Sequence, residues 1–209
     1  MKYLTLLLTL MLAIQVAKAQ IHPVADMQQF ENQLKSSAGK LTSIESDFTQ
    51  VKHLDMFDED VTSSGKFSYK KENKISLIYS KPISYTIVIN NGKLKIVADG
   101  KKSIMSLNSN KMMNEMQDMI TACMIGDLSN MSNDYILNYQ EDNQQYLIKI
   151  TPKSNSVKEY VSGIEIWLSK TDMSVDQLRM YETETDYTDY KFSNKRFNQL
   201  KDESRFAID

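Results

Sequence analysis

Apolar and polar positions along the chain change period several times. From Asp26 to about Ser37, the apolar residues Met27, Phe30 and Leu34 recur three and four apart, which marks one face of a helix. Asp26 suits its N-cap, and Gly39 is the expected stop. After Leu41 the period shortens to two. Alternating segments at 44–53, 62–70, 74–80, 85–90, 93–98 and 101–107 read as strands. Asn91-Gly92 and Asp99-Gly100 join the later ones and are dipeptides that tight hairpins prefer, because glycine reaches positive φ without steric cost. A second helical stretch, roughly 109–126, then interrupts. Met112, Met116, Met119, Ile120 and Cys123 lie at i, i+4, i+7, i+8 and i+11, an apolar stripe opposite Asn114, Glu115, Gln117 and Asp118, which are expected to face water. Strands resume at 135–141, 144–152, 161–169, 175–183 and 188–196.

The fold class that follows is mainly β with two helices: about eleven antiparallel strands in a meander, one domain over 20–209, with no internal repeat or linker. So many strands in a single sheet should curl, and the concave face then needs an apolar cover. The alternation assigns Phe48, Phe67, Ile87 and Ile89 to that face. The second helix is a candidate cover. Seven of the eleven methionines after residue 19 fall between Met105 and Met131. Methionine is flexible and polarisable and adapts to variable apolar partners. The same stripe would also serve as a fixed plug of the barrel.

The N-terminus adds a destination. Lys2, an apolar run from Leu4 to Val16 and the small-x-small site Ala17-Lys18-Ala19 read as a secretory signal spanning residues 1–19, cleaved after Ala19. Gln20, not Cys, follows the cut, so the protein is expected to carry no lipid anchor and to be exported and soluble.

Composition narrows the chemistry. Beyond residue 19 there are 23 basic and 27 acidic side chains, which offers no electrostatic case for nucleic acid. Two His and one Cys are too few for a zinc site built on those ligands, and no metal or cofactor is expected. The six glycines are never closer than eight residues, which excludes a GxGxxG turn or a Walker loop. There is no GxSxG elbow, and Cys123 lies in a Met- and Ile-rich run where it reads as a small buried hydrophobe. Asp58-Glu59-Asp60 reads as a solvated loop and His22 as part of an N-terminal tail. No enzymatic activity is expected.

Several segments together resemble a known family. Ile44-Glu45-Ser46-Asp47-Phe48-Thr49-Gln50 is similar to the first strand of the outer-membrane lipoprotein carrier (LolA-like) family. Gly65-Lys66-Phe67-Ser68-Tyr69, the stretch Lys74 to Val97 with Ile87-Val88-Ile89-Asn90-Asn91-Gly92-Lys93, and Tyr190-Lys191-Phe192-Ser193-Asn194 followed by Phe197-Asn198 continue the likeness in order. The resemblance implies a half-open antiparallel β-barrel of about eleven strands with a helical lid over an apolar cavity. It implies a periplasmic, monomeric carrier of acylated lipoproteins, with an inner-membrane lipoprotein-releasing transporter as donor and an outer-membrane acceptor. The ligand-binding set would be Phe48, Phe67, Ile87 and Ile89 on the wall, and Met112, Met116, Met119 and Ile120 on the lid. Where the family often has a basic residue, an Arg that helps hold the lid, followed by Pro, this chain has Lys71-Glu72, so Lys71 is the candidate latch. Lysine keeps the charge but lacks the planar five-donor fork. Carriage of another lipid or glycolipid, and a lipid-sensing regulatory role, remain alternative readings of the same apolar cavity.

Overall fold

The computed structural model describes residues 21–57, 59–107, 111–128 and 131–209, without the side chains of Lys111, Met112, Met116 and Ser132. The expected signal segment 1–19 lies outside the described residues.

All eleven expected strands form, and a short twelfth precedes them. β1 is the two-residue His22–Pro23, followed by helix α1 (Met27–Lys40). Next come β2 (Ser43–Leu54), β3 (Glu59–Lys70), β4 (Lys74–Lys81), β5 (Tyr85–Asn90), β6 (Lys93–Ala98) and β7 (Lys101–Ser106). Helix α2 (Lys111–Ile125) intervenes before β8 (Tyr135–Glu141) and β9 (Gln145–Pro152). A one-turn helix α3 (Asn155–Lys158) then leads to β10 (Gly163–Ser169), β11 (Val175–Tyr181) and β12 (Tyr187–Phe197). The strands make one antiparallel sheet in the order β1-β8-β9-β10-β11-β12-β2-β3-β4-β5-β6-β7. β1 and β7 are its two edges, so the barrel is open.

Three sequence expectations need correcting. His22 is not in a loose tail, because His22 and Pro23 pair with Glu141 and Gln140 of β8. α1 does not stop at Gly39 but continues to Lys40, and a Cβ at Gly39 would meet no atom within 4 Å. Nothing there ends the helix, whereas its start behaves as expected: the Asp26 carboxylate accepts from the Gln29 N–H at 2.8 Å. The third correction is the one-turn α3, too short to show any period.

Cross-strand pairing explains the core. Tyr139, Ile148, Ile166, Leu178 and Tyr190 are successive partners from β8 to β12, and Phe192 continues on Phe48 of β2. These residues share the concave face, and the period of two places Ile164, Ile166 and Leu168 of β10 there, each 2% exposed or less. Phe30 and Leu34 of α1 are buried against this face, with the Phe30 ring 5.3 Å and 4.6 Å from the rings of Tyr139 and Tyr146.

Gly65 is a glycine that the sheet cannot replace. A Cβ there would lie 2.1 Å from the main-chain oxygen of Ile78, at a register shift between β3 and β4. Gly65 also separates Phe48 of β2 from Tyr79 of β4, and with no side chain between them the two rings meet edge to face at 4.9 Å.

The convex face carries a second, smaller packing layer. Glu45, Ser68, Ser76, Val88 and Lys95 are successive partners across β2 to β6. The C-terminal segment straps across this row. Arg205 Nη1 donates to Glu45 Oε1 at 2.8 Å and to Ser68 Oγ at 3.0 Å, and Asn90 Nδ2 donates to the Phe206 carbonyl at 3.0 Å. Phe206, only 1% exposed, packs on β4 and β5, and Lys95 donates to the Ala207 carbonyl. Glu203 takes Lys74 at 3.0 Å and also pairs with Lys70.

Candidate functional site

The site is built from the concave wall and α2. On the wall, Phe48 and Phe67 are each 2% exposed. Phe48 meets Tyr79, Phe67 lies 5.3 Å from Phe192, and Tyr79 stacks on Tyr85 at 4.0 Å. The hydroxyls of Tyr79 and Tyr190 share a hydrogen bond of 3.1 Å inside this aromatic cluster. Burial and the neighbouring tyrosines push the Tyr79 phenol far above its ordinary range, so it stays neutral. Tyr79, Tyr85, Tyr190 and Phe192 were missed by the sequence reading, although each has the strand parity that signals the concave face. Ile87 and Ile89 of β5 occupy that face too, opposite Leu77 and Ile75, and are half-buried against the core. Further out, Leu94 and Ile96 are half-buried and Met105 on β7 is exposed. The apolar wall is therefore covered at its centre and progressively uncovered towards the β7 edge.

α2 supplies the cover. It contains no Gly or Pro, and Gly126 ends it with φ +75°, the left-handed conformation that terminates helices at low steric cost. Met119 is 2% and Met124 4% exposed, Cys123 is fully buried, and Ile120 packs against the core. Met112 and Met116 are positions of α2, but their side chains lie outside the described residues. The buried arc is wider than the stripe in the sequence. Gln117, expected to face water, is buried, as is Thr121, and neither Gln117 Oε1 nor Thr121 Oγ1 has a hydrogen-bond partner among the described residues. The reason is that α2 meets the protein on more than one side: Met124 lines a small cavity with Phe67 and Phe192, while Met119 lines a larger one with Tyr135. Burial raises the Cys123 thiol well above its ordinary range, which leaves it protonated and a poor nucleophile.

Beside α2 lies a cavity of about 500 Å³. Its apolar lining comes from Met119, Ala122, Ile125, Met131, Tyr135 and Val157, and its polar lining includes Glu115, Asp118, Asp127 and Asp134. α2, the segment leading to β8, the end of β9 with α3, and Asn73 of the β3–β4 turn enclose it. Burial raises the Asp118 carboxyl above its ordinary range and pushes the Tyr135 phenol up to about 12. Of the expected set, Met119 lines this cavity, and Phe48, Phe67, Ile87 and Ile89 line the wall. Lys71, on the same turn as Asn73, is exposed, and its side chain makes no hydrogen bond or ion pair with another described residue. Its N–H donates to the Thr42 carbonyl at 2.9 Å.

Among the described residues, no group of three or more His, Cys, Asp or Glu side chains could hold a metal ion, and no helix is long and apolar enough to cross a membrane.

The sequence pattern of the family described as outer membrane lipoprotein carrier protein LolA matches residues 39–209. No curated protein matches the chain. Among solved structures, MucB is similar with a TM-score of 0.52 at 12% identity, over 88% of this chain and 63% of that one. A LolA superfamily protein from Nitrosomonas europaea gives 0.42 at 8% identity, covering 82% of this chain and 94% of that one. The Mycobacterium tuberculosis lipoprotein LppX gives 0.47 at 11% identity, covering 82% and 94%.

Proposed function

Since the chain belongs to the LolA family of outer membrane lipoprotein carrier proteins, we propose that it is a periplasmic carrier that shields acyl chains against its concave wall while they move between membranes. The observation that carries this reading is the pairing of an apolar, aromatic wall with a helix that packs on that wall and is not one of the strands of the sheet. The wall alone would be an ordinary core. With a separable cover and a cavity at that cover's edge, it becomes a place that cargo can enter.

Transfer energies give the mechanism. Each methylene moved from water to an apolar site contributes about 0.8 kcal/mol, so ten methylenes of one acyl chain contribute roughly 8 kcal/mol. Seating them requires α2 to give up contacts of Met119, Cys123 and Met124, at about 1.5–3 kcal/mol for each large side chain. The two sums are comparable. Cargo then binds firmly enough to leave water and loosely enough to leave the carrier when another apolar surface is offered. No bond in the cargo is made or broken, so no catalyst is required. The donor in this reading is an inner-membrane lipoprotein-releasing transporter and the recipient an outer-membrane acceptor. The protein acts as a monomer, exported by cleavage after Ala19, with Phe48, Phe67, Ile87, Ile89, Met112, Met116, Met119 and Ile120 as the acyl contacts and Lys71 as a candidate latch.

Native mass spectrometry of the protein recovered from its own periplasm tests the reading. Bound acylated lipoprotein supports it, bound free lipid or glycolipid moves it to a different cargo, and protein that is always empty and binds no acyl probe rejects it.

A further inference from the structure

Charge is sorted along the sheet. The four strands β4 to β7 contain six lysines, Lys74, Lys81, Lys93, Lys95, Lys101 and Lys102, and no carboxylate. Of the 23 basic side chains beyond residue 19, six therefore lie in these strands, while all 27 acidic ones lie elsewhere. Register gathers several of the lysines on the convex face. From β4 to β7 that face reads Ile78, Thr86, Val97, Lys102 in one row and Ser76, Val88, Lys95, Ile104 in the next, with Lys93 beside Ser106 in a third. Lys74 and Lys95 are committed, to Glu203 and to the Ala207 carbonyl. Lys81, Lys93, Lys101 and Lys102 are exposed, and their ammonium groups pair with no other described residue.

Large apolar side chains stand among them. Ile83 in the β4–β5 turn is 63% exposed, and Ile104 and Met105 on β7 are 44% and 43% exposed. A lysine or two on an edge strand is the usual guard against strand-to-strand aggregation. That accounts for Lys101 and Lys102 only. Lys81 and Lys93 belong to strands paired on both sides, and a guard needs no exposed isoleucine beside it.

Resting on the carrier reading for its purpose, we propose that the β4–β7 third of the sheet docks on the anionic headgroup surface of a phospholipid bilayer. The uncommitted ammonium groups meet the lipid phosphates, and Ile83, Ile104 and Met105 reach towards the acyl boundary. The rest of the molecule is net acidic and is repelled by the same surface, so one orientation is selected. In that orientation β7, the edge at which the apolar wall is uncovered, lies against the membrane. An acyl chain then passes between bilayer and wall along a continuous apolar path, with no interval in water.

The test is co-sedimentation of the full mature protein with vesicles at low salt. Vesicles of two parts phosphatidylcholine to one part phosphatidylglycerol should carry the protein down, and vesicles of phosphatidylcholine alone should not. Each lysine near an anionic lipid surface contributes a factor of about five, so Lys101→Gln/Lys102→Gln should weaken binding roughly twenty-five-fold. Both positions are exposed on the edge strand, where the fold does not depend on them. Ile104→Ser should leave the charge-driven attraction and make it easier to reverse with salt. Glu184→Gln, exposed between β11 and β12, should not weaken binding. No sedimentation with the phosphatidylglycerol vesicles, or sedimentation that the double lysine variant leaves intact, overturns the inference. So does binding of soluble polyglutamate as tight as that of the vesicles, which would assign the surface to an acidic protein. A fluorescent acyl probe titrated without vesicles reports the carrier reading by itself. If the probe binds and the vesicles do not, this inference alone falls; if the vesicles bind and the probe does not, docking stands and carriage falls.

Discussion

Met124 offers a direct measure of how firmly α2 is closed. It is 4% exposed, belongs to the same apolar core as Ile44, Phe67 and Phe192, and lines a small cavity with them. Truncation to Ala removes that packing only when the helix is seated. Buried Met→Ala changes cost about 2–5 kcal/mol, with the low end where neighbours can settle into the gap. A surface-facing helix settles more readily than a central strand, so about 2 kcal/mol is the expected loss, and it falls on the closed state. Binding through a minor open state is weakened by the population of that state, so raising the population raises apparent affinity in proportion. A change of about 2 kcal/mol corresponds to roughly thirtyfold. The Met124→Ala protein should therefore bind a fluorescent acyl probe up to about thirtyfold more tightly. Hydrogen exchange should quicken in α2 and stay slow in β9 to β12. The reasoning is refuted if exchange in α2 quickens while probe affinity stays the same or falls, because seating of the helix would then not compete with cargo.

Other expected outcomes follow from the same structure. Met119→Asp puts a charge where an apolar side chain lines the cavity, so acyl-probe binding should fall at least about tenfold while circular dichroism shows the sheet retained; unchanged binding returns the stripe to a plain plug. Gly65→Ala drives a Cβ to 2.1 Å from a main-chain oxygen, and denaturant titration should show a loss of roughly 3 kcal/mol or more; a loss under about 1 kcal/mol would mean that β3 and β4 shift freely. The Glu141 carboxylate accepts from Lys170 Nζ at 2.5 Å and from the Ala25 N–H at 2.7 Å, which together hold it below its ordinary value of 4.5. Its contribution to stability is thus present above the unfolded value and lost as pH falls through the folded one. Thermal midpoints should drop below pH 4.5, and less steeply in Glu141→Gln; identical acid profiles would remove the carboxylate from the account.

What was legible in the sequence was whatever repeats. Eleven strands alternate over six or more residues, and Asn91-Gly92 and Asp99-Gly100 do adopt positive φ between them. β1 escaped because two residues have no period. The breadth of burial on α2 escaped for a different reason. A hydrophobic stripe shows where burial is favourable, not where it occurs, and Gln117 and Thr121 are buried because the helix is packed on more than one side. The wall was half legible: Phe48 and Phe67 stand out as isolated aromatics, while Tyr79 and Tyr190 are recognised as inward-facing only once the register is known. The carboxylates of the cavity were not legible as a group. They come from separate segments whose approach depends on how the sheet curls.

The strap of residues 203–207 has a mechanical consequence for an open barrel. It joins β2 to β6 along the outside of the bend, from Glu45 to Lys95. Curling a sheet further lengthens its outer arc, so a tie on that side resists tension and sets a minimum radius of curvature. An apolar hollow that loses its occupant tends to shrink, since unfilled volume is costly. With the outer arc held, that contraction must be taken up by the movable helix and not by the wall. The five strands then act as a pre-set spring frame: the hollow keeps its dimensions between one load and the next, and only its cover has to travel.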